Sequence, residues 1–210
     1  HLGRIGWKDA MAVQSARWHA VIDGAPDRLF TLEHDPVVTL GRRAREADLL
    51  VPRGDLASRG IDVVEADRGG EVTYHGPGQL VVYAVFHLER ARLGPADLVR
   101  GLADSIGAVL TGLGIETQYD REHPGLWTQG RKIVAVGMRI SRGVSMHGAA
   151  LNLHTSLDAF SLFVPCGMPG AQAASVQELC GEAPTIDEAA EAVARAASRR
   201  FTRSLERVAH

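Results

Sequence analysis

The stretch Glu71-Val-Thr-Tyr-His75-Gly-Pro-Gly-Gln79-Leu-Val-Val-Tyr-Ala-Val85-Phe-His-Leu88 decides the fold. β-branched and aromatic residues dominate both of its ends, which favours extended backbone. His75-Gly76-Pro77-Gly78 breaks the run, because proline cannot donate to a ladder and glycine turns freely, so two strands flank a loop. Outward from it, Leu29–Leu32, Val37–Leu40 and Asp62–Glu65 read as short strands. Ile133–Ile140 and Val144–Leu153 read as a pair folded around Ser141-Arg142-Gly143. Three segments carry helical spacing instead. Trp7–Ile22 stops at Asp23-Gly24, and Pro95 opens a helix that Gly112 and Gly114 close. Thr185–Val208 is Ala- and Arg-rich, with Thr185 and Glu188 spaced as a capping box.

Strands and helices do not alternate in regular βαβ units, so the expected class is α+β: a two-layer arrangement of a mixed or antiparallel sheet with helices on one side. The 210 residues suffice for a real core, and no repeat or low-complexity linker divides them. We expect one domain over 1–210, with a smaller C-terminal lobe from about residue 155.

Composition narrows the function classes. Hydrophobic residues make up 45%, charged residues 23%, and the net charge of -2 offers no general attraction for nucleic acid. Arginines 42, 43, 45, 53 and 59 could form a local basic face, but a solvated surface with interspersed acids is the first reading. No apolar run reaches the ~20 residues that span a bilayer, and no signal-peptide pattern opens the chain. Two cysteines, Cys166 and Cys180, fit free thiols in a reducing cytoplasm better than a disulfide.

Three clusters could carry chemistry. In Arg68-Gly-Gly-Glu-Val-Thr-Tyr-His75-Gly-Pro-Gly-Gln79 the glycines suit a backbone that must approach a ligand closely. The Gly76-x-Gly78 pair is no dinucleotide fingerprint, since Val81 stands at the third glycine position. In Gly130-Arg-Lys132-Ile-Val-Ala-Val-Gly137 a lysine leads into an apolar strand; such a lysine is commonly a solvated strand end, but a cleft would make it a usable base. In Phe163-Val-Pro-Cys166-Gly-Met-Pro-Gly170 the cysteine sits in a loop constrained by proline and glycine. A lone cysteine is often a small buried hydrophobe, yet loops display reactive groups and a nearby lysine would favour the thiolate. Cys180, beside Leu179 on a short helix, reads as structural.

Other constellations fail. Gly143-Val-Ser-Met-His147 lacks the closing glycine of a nucleophile elbow. Nine histidines include no His-Glu-x-x-His and no Cys-x-x-Cys partner pattern, so His75, His147 and His154 are assigned to pocket hydrogen bonding or to satisfied burial.

Taken in order, residues 68–79, 130–137, His147-Gly-Ala-Ala-Leu-Asn152 and Pro165-Cys-Gly167 resemble the lipoyl(octanoyl) transferase family, with fainter similarity from Leu2 to about Leu179. The resemblance implies the fold of the biotin and lipoate protein ligase catalytic domain. It implies octanoyl transfer from acyl carrier protein to a lysine of lipoyl domains, in 2-oxoacid dehydrogenase subunits and the glycine cleavage H protein, as the first step of lipoylation from endogenous octanoate. Cys166 would form an acyl-thioester, and Lys132 would tune or deprotonate it. The acyl pocket would be lined by Arg68, Gly69, Gly70, Glu71, Val72, Thr73, Tyr74, His75, Ala135, Val136, Gly137, Gly148, Ala149 and Ala150. No metal or nucleotide cofactor, no nucleic acid and no membrane would be involved, and the chain would act as a monomer.

Two departures bear on the pocket. Ala149 stands where a bulkier residue is usual, and Ser175-Val176 replaces a Thr-Ser pair, which leaves the tail end of the acyl tunnel open. The nearest alternative is an ATP-dependent lipoate- or biotin-type protein ligase, in which a lysine like Lys132 is expected but a cysteine nucleophile is not. A non-enzymatic acyl carrier is a third reading, which the presence of both Cys166 and Lys132 disfavours.

Overall fold

A computed structural model of the protein describes residues 1–165, 168 and 170–206, with side chains through Thr202. Among them the elements run β1 (Arg4–Ile5), α1 (Trp7–Ile22), β2 (Arg28–His34), β3 (Val37–Leu40), α2 (Arg53–Ser58), β4 (Asp62–Glu65), β5 (Val72–His75) and β6 (Gln79–Val85). Then follow α3 (Pro95–Gly112), β7 (Gln118–Asp120), β8 (Gly125–Thr128), β9 (Arg131–Ser141), β10 (Val144–Asn152), α4 (Val176–Cys180) and α5 (Ile186–Glu206). The strands form a seven-stranded sheet in the order β1-β2-β6-β10-β9-β8-β7 and a three-stranded sheet in the order β4-β3-β5. β1–β2 and β3–β4 are parallel and the other pairs antiparallel, so the class is α+β with mixed sheets.

The His75–Gly78 break is where the chain passes from one sheet to the other. β5 ends the small sheet, and β6 enters the middle of the large one between β2 and β10. Every residue of β6 is buried, which explains its unbroken apolar run. Leu80 and Val82 pack with Leu102, Ile106 and Leu110 of α3 and with Val193 of α5. On the other face Val81 and Tyr83 pack with Ala10 of α1, and Val85 with Trp18 and Val21. The helices therefore cover both faces of the large sheet, not one as expected. The reason lies in β6 and β10, which are apolar on both sides and need two covers.

Local chemistry explains the element ends. The main-chain N–H of Thr185 donates to Glu188 Oε2 at 2.9 Å, and Glu188 N–H donates back to Thr185 Oγ1 at 3.3 Å, the expected box at the start of α5. Ser141 pairs with Val144 across a two-residue loop in which Arg142 (φ 52°) and Gly143 (φ 75°) are both left-handed, as a tight hairpin requires. The small sheet has its own core of Val38, Leu40, Leu56, Val72 and Tyr74 under Ala159, Leu162 and Phe163. The chain after residue 155 is shared between the two cores: residues 159–163 cover the small sheet, while α5 lies on α3 and the large sheet.

The seam between the sheets is held by polar links around the 76–78 loop. Gly78 N–H donates to Glu33 Oε1 at 2.7 Å, and its carbonyl accepts from Leu153 N, His154 N and Thr155 Oγ1. Gln79 Nε2 donates to Tyr74 O and to Asn152 Oδ1 at 3.1 and 2.9 Å.

Candidate active site

Along this seam runs a cleft of about 280 Å³. Its floor is the backbone of β9 and β10 at Ala135–Gly137 and Gly148–Ala150; its roof is the segment Arg68–Thr73 with His75. Thirteen of the fourteen predicted pocket residues line it. Tyr74 does not. Side chains alternate along a strand, so Thr73 and His75 face the cleft while Tyr74 turns into the small sheet's core, its ring 5.8 Å from that of Phe160.

The floor is made of small residues because backbone lies on backbone. Gly69 N–H donates to Met138 O at 3.0 Å, and a Cβ at Gly137 would meet Gly69 O at 2.9 Å. Gly148 is tighter still, since a Cβ there would come within 2.0 Å of Val82 O. Gly148→Ala must push β10 off β6. We expect a loss of about 3 kcal/mol or more and a Tm lower by roughly 6–12 °C, read by thermal denaturation.

Arg68 braces the roof. Its buried guanidinium donates to Thr39 O and Oγ1 (both 2.7 Å), Gly69 O (2.9 Å) and Glu71 O (2.9 Å), tying the glycine loop to β3. The other arginines outside are largely neutralised: Arg43 pairs with Glu71, Arg45 with Asp48 and Arg53 with Glu46. This is the solvated surface with interspersed acids.

At one end of the cleft stands Lys132. Its Nζ donates to Pro124 O at 3.4 Å and lies 4.8 Å from the centre of the Trp127 ring, a cation–π contact. Its backbone clips a later part of the chain: Lys132 N–H donates to Gln172 O, and Ala174 N–H to Lys132 O, both at 2.9 Å. A side pocket of about 30 Å³ is lined by Lys132, Thr73, Gln79, Asn152, Pro165 and Ala171. Cys166 itself lies outside the described residues. Cys180 is exposed and carries no disulfide.

The cleft also gathers a polar aromatic group that sequence reasoning mostly missed. Trp7, the first residue of α1, lies flat on His147 and on His75, at centroid distances of 6.1 and 6.0 Å. His34 Nδ1–H donates to Ile5 O at 3.0 Å, so its Nε2 accepts from the Tyr83 hydroxyl at 2.7 Å. Burial lowers the His34 pKa to about 4 and holds His75 well below the ordinary histidine range, so both rings are neutral at pH 7. His75 Nδ1–H donates to Gln79 Oε1 at 2.7 Å, because the Gln79 amide hydrogens are already given to Tyr74 and Asn152. A tyrosine in an otherwise aliphatic strand, and a tryptophan at a helix start, were the available signals. His154, grouped with His75 and His147 from the sequence, is exposed instead.

His147 is the unusual member. It sits inside β10 with φ 62°, a left-handed conformation that costs a non-glycine residue about 1–3 kcal/mol. Its N–H turns away from β6 and donates to the Gln14 side chain of α1. Ser145 fills the resulting gap in the ladder, accepting from Phe86 N–H at 3.0 Å and donating to Ala84 O at 2.7 Å. The His147 ring donates from Nε2 to Asp67 Oδ1 at 2.7 Å, and this bond is the chief reason the Asp67 carboxyl is held below its ordinary range. Asp67 also pairs with Arg139. Among the described residues no three His, Cys, Asp or Glu side chains are arranged to hold a metal ion, and no helix is long and apolar enough to cross a membrane.

The protein is similar to an octanoyltransferase from Nitratidesulfovibrio vulgaris (strain DSM 19637 / Miyazaki F), 41% identical over 195 residues that cover 92% of this chain and 89% of that protein. Among solved structures it resembles a lipoate-protein ligase A bound with ATP, with TM-score 0.75 at 20% identity over 96% of this chain and 84% of that one. It also resembles a biotin protein ligase from Aquifex aeolicus in complex with biotin and ATP, with TM-score 0.51 at 14% identity over 78% of this chain and 70% of that one. At these identities the two structures show the fold alone. Residues 7–198 match the lipoyl protein ligase A/B catalytic domain, and the chain belongs to that family.

Proposed function

We propose that the protein is an octanoyltransferase working through an acyl-cysteine. The observation that carries the reading is the clip between Lys132 and residues 172–174, which sets the two flanks of Cys166, Pro165 and Ala171, around the same side pocket as the lysine. In the first step the Cys166 thiolate attacks the thioester carbonyl of octanoyl–acyl carrier protein. A new sulfur–acyl bond forms, and the pantetheine thiolate leaves and takes the proton given up by Cys166. In the second step a neutral lysine amine of a lipoyl domain attacks the Cys166 thioester; an amide forms, and the amine's proton passes to the departing thiolate. Splitting one hard transfer into two easier ones is what a covalent nucleophile contributes.

Lys132 has two ways to help. As an ammonium beside the thiol it favours the thiolate; as an amine it accepts the thiol proton. The cleft takes the acyl chain along the backbone of Ala135–Gly137 and Gly148–Ala150, under Arg68–Thr73. The donor arrives already activated as a thioester, so neither a nucleotide nor a metal has a step to perform, and a single chain suffices. The lipoyl domains of 2-oxoacid dehydrogenase subunits and the glycine cleavage H protein are the acceptors in this reading.

The test is direct. Mixed with octanoyl–acyl carrier protein and no ATP, the protein should gain one octanoyl group in intact mass, and adding a lipoyl domain should move that group to the domain. Strict dependence on ATP, with no adduct before it is added, would assign the chain to adenylate-forming ligases instead.

A further inference from the structure

We infer that Trp127 is a positioning residue for Lys132, set beneath the lysine by a β-bulge so that its indole face holds the charged head in the cleft. This rests on the acyl-transfer reading and concerns how that reading's lysine is kept in place.

The bulge is a matter of register. Leu126 faces Val134 across β8 and β9, but Trp127 faces Lys132, so one residue of β9, Ile133, is extra. In an unbroken ladder Trp127 would stand opposite Ile133 and share its face. Ile133 and Val134 are both fully buried among side chains of α3 and α5, so that face is the core. With the bulge, two successive residues turn to the core, and Lys132 and Ala135 on either side of them both border the cleft. Trp127 joins them around the side pocket. Bulges beside functional sites re-aim side chains, and this one re-aims two.

The contact that results is held from several directions. The indole N–H donates to His123 O at 3.3 Å, which pins the ring to the preceding loop. The next carbonyl, Pro124 O, accepts from Val136 N–H at 3.1 Å and from Lys132 Nζ at 3.4 Å. One loop thus fixes the ring, the strand and the lysine head. The lysine stem passes over Gly125, where an added Cβ would come within 3.2 Å of Lys132 Cε. Nζ then reaches 4.8 Å from the centre of the ring, and both residues are half-buried. An aromatic face attracts an ammonium, more strongly where water is partly excluded, and gives a neutral amine no such hold. The ring therefore favours the first of the lysine's two roles, the ammonium beside the thiol.

Fluorine on the indole keeps its shape and drains charge from its face. Trp127 is replaced site-specifically by mono-, di- and trifluorotryptophan, and separately by Trp127→Phe and Trp127→Leu. The rate at which iodoacetamide alkylates Cys166, which follows the thiolate, is measured beside octanoyl transfer to a lipoyl domain. Alkylation is read at Cys166 by peptide mass, since Cys180 is a free exposed thiol as well. Both rates should fall with each added fluorine, to about a third or less with three. Trp127→Leu should lose roughly tenfold and Trp127→Phe less, in kcat, with KM for the lipoyl domain within about twofold of wild type. A residue that only packs would tolerate the fluorines. Rates equal across the fluorinated series overturn the positioning role, whatever the leucine variant does. Absence of any octanoyl adduct on wild type would overturn the transfer reading, while the order of the alkylation rates would still judge Trp127.

Discussion

The Cys166→Ser protein is expected to lose octanoyl transfer to a lipoyl domain by at least about a thousandfold, a barrier increase of ~4 kcal/mol. The argument is one of ionisation. An ordinary thiol has a pKa of about 8.5, so a neighbouring ammonium can bring its thiolate into the neutral range. A serine hydroxyl lies far beyond the reach of the same lysine, and His123, His34 and His75 have partners of their own. His123, beside Pro124, is engaged with Asp120 Oδ2 at 3.2 Å. His34 and His75 are engaged with Tyr83 and Gln79 near Trp7. Fold should be unaffected, because main-chain bonds of 172–174 to Lys132 and of Val164 N–H to Asp48 O at 2.7 Å attach the described residues on either side. Equal Tm with lost transfer, and no octanoyl mass gain, is the expected pair of results. Transfer within tenfold of wild type would mean that the acyl group never rests on Cys166.

How much of this was legible in the sequence depended on whether neighbours in the chain or distant contacts decided it. The strands at Val37–Leu40 and Asp62–Glu65, the Thr185–Glu188 box and the Arg142-Gly143 turn are local matters, and the residues themselves announce them. The face taken by α1 is not local. Its buried stripe is Ala10, Gln14, Trp18 and Val21, and nothing in the chain marks Gln14 as an inward residue. Gln14 is buried because it serves His147, 133 residues away, and that contact also produces the left-handed turn in what otherwise reads as an uninterrupted strand. The site divides in the same way. Motif residues 68–73, 135–137 and 148–150 were found together and do line one cleft. Tyr74 was included by adjacency, and strand alternation would have excluded it. Trp7, Tyr83, His34 and Asp67 come from four separate elements or loops, and only the folded chain brings them together.

Lys132→Ala is the second large loss expected, about a hundred- to ten-thousandfold in transfer, the range spanned by removing a positioned proton-transfer group. The variant should fold. The two hydrogen bonds between Lys132 and residues 172–174 use its main chain, so the clip survives without the side chain. What disappears includes the Nζ contact with Pro124 O and the charge over the Trp127 ring. The pH at which Cys166 reacts half-maximally with a thiol reagent should then rise, since an opposite charge that favoured the thiolate has gone. Lys132→Arg separates the two roles of the lysine. Arginine keeps a positive charge but does not give up its proton in proteins, and its wider fork meets the narrow passage beside Gly125, where a Cβ would already come within 3.2 Å of the Lys132 stem. If the arginine variant restores the thiol titration but not transfer, Lys132 acts by moving a proton. If it restores both, the lysine acts by charge alone. An unchanged thiol titration in the alanine variant would remove Lys132 from the activation of Cys166 altogether.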